Sequence, residues 1–453
     1  MERLSAQDLS NLWPDDFGWP QDIGVIGVLD GAVPLDVVRR TVEARLHLVP
    51  RFRQRLYRPR RGLGWPLWVD AQDFDITDHI GLVALPDAAG EADLLSTVEQ
   101  LRRRPWDYSR PLWRMWILPG LAEHRTGLYV RVHHAIADGA AGVALLGTLF
   151  DPAAGPDAAA GSRFVPAPVP SGRELLADNV RRRAGELTRA ASALGHPART
   201  LGRLRAGWPA VRETVTAPRA PRTSLNRLIG EGRRFAVVRG AMEPVAQAAH
   251  AAGATVNDVL LTAIAGGLRN LLRSRGEQVD ALVLRAYVPV ALHRGRSGPA
   301  RGNLVGVMAV PLPLGGSDTG RRLARIAAET AERRKRFRPW AGALLRNGLL
   351  QRSVLRRMPR QRWANMYVAN VPGPPAPLSV AGAAVRDLFP IVPLTGNIPL
   401  GVGALSYAGR FNLTVVADRD ACPDVAVFVD GMREDLGCLT LAARPTVPLT
   451  AAS

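Results

Sequence analysis

Cysteine is almost missing from this 453-residue chain, with only Cys422 and Cys438 present. Two thiols supply neither a disulfide framework nor a four-ligand zinc site of the usual spacing, so a reducing cytoplasm is the expected compartment and no metal is expected. A secretory start is missing too: Met1 to Asp16 carries four acids and lacks a basic opening followed by an apolar run. The longest uncharged stretch, Leu388 to Gly409, is interrupted by Pro390, Pro393 and Pro399, which forbid a continuous membrane helix and predict strand and loop. Several chemistries lack their signatures. There is no GxSxG elbow, no GxxxxGK[ST] loop, no GxGxxG fingerprint and no HExxH pair. Serine hydrolases, nucleoside-triphosphate enzymes, dinucleotide oxidoreductases and zincins lose their support accordingly.

What is present is ordinary in bulk, with 47% hydrophobic and 22% charged residues, enough for two or three folded domains. The charge balance is unusual. Fifty-nine basic residues, nearly all arginine, face 40 acidic ones, a net of +19. Fourteen basic against two acidic residues fall between 320 and 362, and eleven against four between 171 and 222, so these two segments carry the whole excess. Such concentration suits surfaces that meet phosphate-bearing molecules or an anionic membrane. Between Pro339 and Arg362, apolar Trp340, Leu344, Leu345, Leu350, Val354, Leu355 and Met358 alternate with five arginines at helical spacing. That pattern predicts an amphipathic basic helix, lying either in a lipid interface or against a protein core.

Short strand-like runs alternate with longer helical ones, the pattern of a mixed α/β chain. Residues 1–150 read as one domain. The interval 151–234 is Pro/Ala-rich and then basic and helical, and 235–453 repeats the texture of the first part. Within the first part, residues 127–132 alternate as a strand and 140–150 read as a helix. His133-His134-Ala135-Ile136-Ala137-Asp138-Gly139 lies at the junction. A rigid strand end at the mouth of a cleft is where a general base is well held. An imidazole with a pKa near 6.5 can take the proton of an alcohol attacking an activated acyl carbonyl. His134 is the expected base and His133 an orienting residue. Asp138 either orients the loop through an arginine or caps the following helix, and Gly139 permits a tight turn.

The HHxxxDG motif resembles that of acyl-CoA-dependent acyltransferases, and its flanks resemble the bacterial wax ester synthase/diacylglycerol acyltransferase family. The likeness runs nearly end to end. It takes in Leu4-Ser5-x-x-Asp8, Trp65-Pro66-x-Trp68-Val69, Asp73-Phe74-Asp75 and Ser109-Arg110-Pro111-Leu112-Trp113 before the histidines. After them it takes in Val256-Asn257-Asp258-Val259, Gly302-Asn303-Leu304-Val305-Gly306, Asn370-Val371-Pro372-Gly373-Pro374 and Ser406-Tyr407-x-Gly409 with Asp418 and Pro423-Asp424.

The resemblance implies an α/β fold of two chloramphenicol-acetyltransferase-like domains facing each other across a tunnel, with acyl-CoA as co-substrate and no cofactor. The acceptor it implies is diacylglycerol, or a long-chain alcohol. By the same likeness Pro111, Leu112, Trp113, Asn257 and Asp258 support the site, and Asn303 and Asn370 belong to the tunnel. A cytoplasmic protein touching membranes or lipid bodies from one side is the expected setting.

The chain departs from the family pattern at Pro20-Gln21-Asp22-Ile23-Gly24, where Pro-Met-His-Val-Gly is usual, and at Leu225-Asn226-Arg227, where Leu-Asn-Gly is. Thr414 stands at a frequent glycine. These changes bear on substrate choice. Two competing readings remain: an acyltransferase or condensation-type enzyme using a carrier-bound acyl group, and a non-catalytic basic protein of lipid surfaces. Nucleic-acid binding is not expected, because residues 171–222 offer a single aromatic, Trp208, for base stacking.

Overall fold

The computed structural model describes residues 1–137, 139–150, 164–195, 202, 205, 218–291, 305–336 and 348–442. Its strands are β1 (Glu2–Arg3), β2 (Asp22–Asp30), β3 (Gln54–Tyr57), β4 (Leu67–Asp70), β5 (Ile80–Leu82), β6 (Trp113–Leu121), β7 (Arg125–His133) and β8 (Arg233–Ala241). They continue with β9 (Val283–Ala291), β10 (Val305–Pro313), β11 (Met366–Pro372), β12 (Ser379–Val380), β13 (Ala383–Ile391), β14 (Leu400–Tyr407) and β15 (Arg410–Asp418). Two six-stranded sheets result, ordered β12-β13-β2-β7-β6-β5 and β10-β9-β11-β14-β15-β8, beside a small β1-β4-β3 sheet. Most neighbours run antiparallel, but β5 with β6 and β11 with both β9 and β14 are parallel.

The central strands of both sheets are covered on both faces, which explains their nearly continuous apolar runs. In the first sheet, β2 is buried along almost its whole length. Helices Leu35–Arg45 and Gly139–Phe150 contribute Val38, Val42, Leu146 and Leu149 to the cluster on one face. On the other face Ile26, Val28, Trp116 and Tyr129 meet Val237 and Val416 of the second sheet in one shared apolar layer. The two sheets are therefore joined by core packing, with polar contacts such as the Arg239–Asp387 pair added to it.

The far side of the second sheet is covered by helix Val256–Ser274. A capping box starts it: Thr255 Oγ1 accepts the Asp258 N–H while the Asp258 carboxylate accepts the Thr255 N–H at 2.9 Å. Residues 258–268 of the helix are buried without interruption. It packs against helix Val425–Ala442 so closely that a Cβ on Gly267 would lie 2.4 Å from the Phe428 carbonyl oxygen.

The sheets do not follow a division at 150 and 235. Leaving β11 in the second sheet, the chain crosses to the first, where β13 pairs with β2 (Leu388 opposite Gly27), and then returns as β14. Side chains of the second sheet fix the crossing. The Tyr407 hydroxyl accepts the Leu378 N–H and donates to the Val385 carbonyl, both at 2.8 Å, and Asn412 Nδ2 donates to Asp387 and to the Leu388 carbonyl. The first sheet is thus completed by residues that the sequence reading assigned to the second domain.

The strand-and-loop expectation for Leu388 to Gly409 holds, with β13 and β14 at its ends. Among the described residues no single helix is long and apolar enough to cross a membrane. Of the expected basic helix, residues 337–347 lie outside the described residues, and Gly348–Arg357 is helical. One side of that helix meets the N-terminal segment: Gln351 Nε2 donates to the Ala6 carbonyl, while Arg352 pairs with Asp16 at 2.6 Å and covers the Trp13 ring. Arg356 and Arg357 are exposed.

Candidate active site

β7 is the middle of three antiparallel strands, so its last residue inherits a fixed position from both neighbours. His133 lies opposite Asp22 of β2 and donates its N–H to the Leu112 carbonyl at 2.9 Å. The His134 N–H then bonds the Gln21 carbonyl at 2.8 Å, and the Ile136 N–H closes a turn onto His133. Backbone bonds to both flanking strands hold the two histidines before any side chain acts.

The two imidazoles differ sharply. His133 is fully buried, and its Nδ1 accepts the Ala135 N–H at 3.1 Å. Its proton therefore sits on Nε2, which donates to Asp15 Oδ2 at 2.8 Å. The Tyr108 hydroxyl donates to the same oxygen at 2.5 Å, and the Gln21 N–H reaches Asp15 Oδ1. Burial, with the Asp15 charge adding to it, pushes the Tyr108 phenol far up, so it stays a donor. Both ring nitrogens of His133 are engaged, which suits orientation and not proton transfer.

His134 is half-buried. Asn11 Nδ2 lies 3.1 Å from its Nδ1 and 3.3 Å from its carbonyl oxygen, so one amide holds both the ring and the backbone. The wall beside the pair is ionic. Asp22 Oδ2 bonds Arg131 at 2.8 Å, Trp106 Nε1 donates to Asp22 Oδ1 at 2.6 Å, and the Arg131 guanidinium covers the Trp106 ring. Asp22 and Arg131 are both almost wholly buried, and their charges are compensated where they stand.

Pro111, Leu112 and Trp113 lie directly beneath this arrangement. Leu112 supplies the carbonyl that His133 uses, and Trp113 is fully buried, stacked between Phe52 and His79, with Nε1 on the Phe52 carbonyl. Burial depresses the His79 pKa to about 4, against the pull of its bond to the Trp113 carbonyl.

Gly139 begins the following helix, and a Cβ there would come within 3.2 Å of Val371 Cγ2, so close approach between the motif and β11 also calls for glycine. That contact brings the strand of half-buried Asn370 up to the histidine turn. Asp258, 2% exposed, is bonded within its capping box and to Thr330 Oγ1 at 2.6 Å. Neighbouring Asn257 is half-buried, and no side-chain bond joins it to other described residues. Asp138 and Asn303 lie outside the described residues.

Asn11, Asp15 and Tyr108 were not singled out from the sequence. Asp15 sits in a short 3-10 turn, Trp13–Phe17, where an acid next to proline reads as an ordinary turn residue. Gln21 and Asp22 were marked only as departures from a family pattern. Both touch the histidine pair or face it across the strands.

Comparison with known proteins places this geometry in a family. Residues 4–260 match the model of the wax ester synthase/diacylglycerol acyltransferase catalytic domain, and residues 301–440 match that of the family's C-terminal domain. A Mycobacterium tuberculosis protein carrying the provisional name diacylglycerol O-acyltransferase is 29% identical over 439 residues, covering 93% of this chain and 92% of its own. Among solved structures, the wax ester synthase/diacylglycerol acyltransferase from Marinobacter aquaeolei VT8 superposes with a TM-score of 0.69 at 24% identity, covering 97% of this chain and 99% of its own. The first condensation domain of the CDA synthetase reaches 0.61 at 17% identity, with 98% and 97% covered. These likenesses show a shared two-domain α/β fold. With the catalytic-domain model spanning more than half of its length, this chain belongs to the wax ester synthase/diacylglycerol acyltransferase family.

Proposed function

We propose that the protein transfers a long-chain acyl group from acyl-CoA to the free hydroxyl of diacylglycerol, giving triacylglycerol, and accepts long-chain alcohols to give wax esters. The observation that carries the mechanism is the inequality of the histidines. His133 is fully buried and bonded to Asp15 and Ala135, whereas the His134 residue is only half-buried. In this reading His134 Nε2 takes the acceptor's hydroxyl proton as its oxygen attacks the thioester carbonyl carbon. The tetrahedral intermediate then expels the CoA thiolate, which takes that proton back from the imidazolium. Nδ1 must carry a proton throughout, so Asn11 turns its amide oxygen toward it during turnover. His133, Asp15 and Tyr108 keep the backbone turn in register, and Asp138 and Asn303 remain expectations of the family likeness.

The setting we propose is cytoplasmic, with the arginine-rich segments resting against anionic membrane or lipid-body surfaces. The test is CoA release from palmitoyl-CoA by purified protein with diacylglycerol or hexadecanol, followed by product chromatography, in wild type and His134→Ala. Acceptor-dependent release lost in the variant supports the reading. Release that ignores the acceptor or survives the substitution overturns the role of His134. Activity only with a carrier-bound acyl thioester favours the condensation-type alternative.

A further inference from the structure

A cavity of about 680 Å³ opens where helix Gly348–Arg357 runs into the 3-10 turn Met358–Arg360. Arg219, Arg356, Arg357, Arg360 and Arg362 line it together with Trp363, and among the described residues no carboxylate does. Arg219, Arg356 and Arg360 form no ion pair with another described residue. Arg357 donates to Ser353 Oγ at 2.7 Å, and Arg362 Nε donates to the Ala220 carbonyl at 3.1 Å. The frame is built. The Ala220 N–H bonds the Arg362 carbonyl at 2.7 Å, joining the two arginine-bearing stretches, and buried Gln361 anchors the turn by donating to Asn397 Oδ1 and the Ala364 carbonyl.

Five arginines lining one concavity favour an anion there, and the planar forks of guanidiniums match phosphate oxygens in pairs. A concave site with a partly exposed indole (Trp363, 38%) suits a phosphorylated purine better than a flat sheet of headgroups. The site also lies close to the histidines' support. Arg352, one helical turn (about 6 Å) before Arg356, pairs with Asp16 and covers Trp13, inside the segment that carries Asn11 and Asp15.

We propose that this cavity binds the phosphates of the CoA nucleotide, with the adenine against Trp363, an assignment that rests on the acyl-CoA reading above. Lipid headgroups share the phosphate chemistry, so the test has an arm for each source. Calorimetry measures adenosine 3′,5′-bisphosphate binding to the full-length protein, wild type against Arg356→Gln/Arg360→Gln, with Arg219→Gln as a second variant outside the helix and circular dichroism confirming folding. Sedimentation measures binding to vesicles of phosphatidylcholine and phosphatidylglycerol.

Nucleotide affinity should fall at least about tenfold in each variant, as expected for lost bidentate phosphate contacts. KM for palmitoyl-CoA should rise in parallel at constant kcat, and KM for S-palmitoyl-pantetheine, which lacks the nucleotide, should stay unchanged. Nucleotide affinity equal in wild type and variants overturns the proposal, as does loss of vesicle binding alone. Nucleotide binding needs no turnover. Arginine-dependent binding without acyl transfer to any acceptor would therefore sink the catalytic reading and leave the anion site standing.

Discussion

Asp15 and His133, 118 positions apart in the chain, meet carboxylate to Nε2 at 2.8 Å, and the bond fixes which nitrogen of the imidazole holds the proton. The Ala135 N–H occupies Nδ1, so the ring's orientation is set from both sides. Asp15→Asn keeps the shape but sets an amide where the ring N–H and the Tyr108 hydroxyl both need an acceptor. Displacing the turn by a fraction of an ångström should lower kcat on the order of a hundredfold with KM little changed, measured by CoA release. A wild-type rate in the variant would remove Asp15 from the account.

Asn11 is predicted to govern the pH dependence of turnover. In Asn11→Asp a carboxylate beside His134 Nδ1 stabilises the imidazolium and raises its pKa, so the basic form is reached only at higher pH. The acid limb of kcat/KM should move up, with activity depressed at neutral pH and recovered above it. Asn11→Leu should lower the rate without that displacement. Identical pH profiles for wild type and Asn11→Asp would show that the amide does not act on the ring.

Gly139 and Val371 are predicted to couple. Gly139→Ala places a methyl 3.2 Å from Val371 Cγ2, tighter than ordinary packing. Val371→Ala should relieve it. A double-mutant cycle on unfolding free energy should give a coupling of about 0.5–3 kcal/mol, and additivity would show that the contact is not made.

Stability should fall in mild acid because of His79. Its folded pKa of about 4 lies below the ordinary imidazole value of 6.5. Between those values the unfolded chain binds the proton and the folded one does not, so this contribution is complete above pH 6.5 and is lost as pH falls toward 4. The loss amounts to roughly 3 kcal/mol at most. Denaturant titrations at pH 7 and pH 5, in wild type and His79→Gln, check it: the variant should show the smaller difference between the two.

Asp258→Ala removes a helix cap and leaves Thr330 Oγ1 without its buried acceptor. A stability loss of about 2–3 kcal/mol is expected, with kcat per folded molecule unchanged if the residue is structural. A collapse of kcat in well-folded protein would place Asp258 in the chemistry instead.

The histidine turn was legible in the sequence because its signals are local: alternation up to His133, then an unbroken helical run after Gly139. The strands at 23–29, 235–238 and 282–290 were legible for the same reason, as was the helix starting at Val256. Asn11, Asp15 and Tyr108 were not, because their importance lies in contacts made across more than ninety residues. The passage of β13 into the first sheet was hidden on the same ground. Residues 388–391 announce a strand, but nothing in a strand's own pattern names the sheet it will join.

That borrowed strand has a consequence for biosynthesis. A ribosome completes β2 and β7, and with them the histidine pair, long before it reaches Ile391. Until then the outer edge of β2, a strand apolar on both faces through Ile23, Val25 and Leu29 on one and Ile26 and Val28 on the other, has no neighbour to bond. The first half, taken alone, therefore carries an open strand edge, the kind of edge that chaperone binding or strand exchange between chains covers.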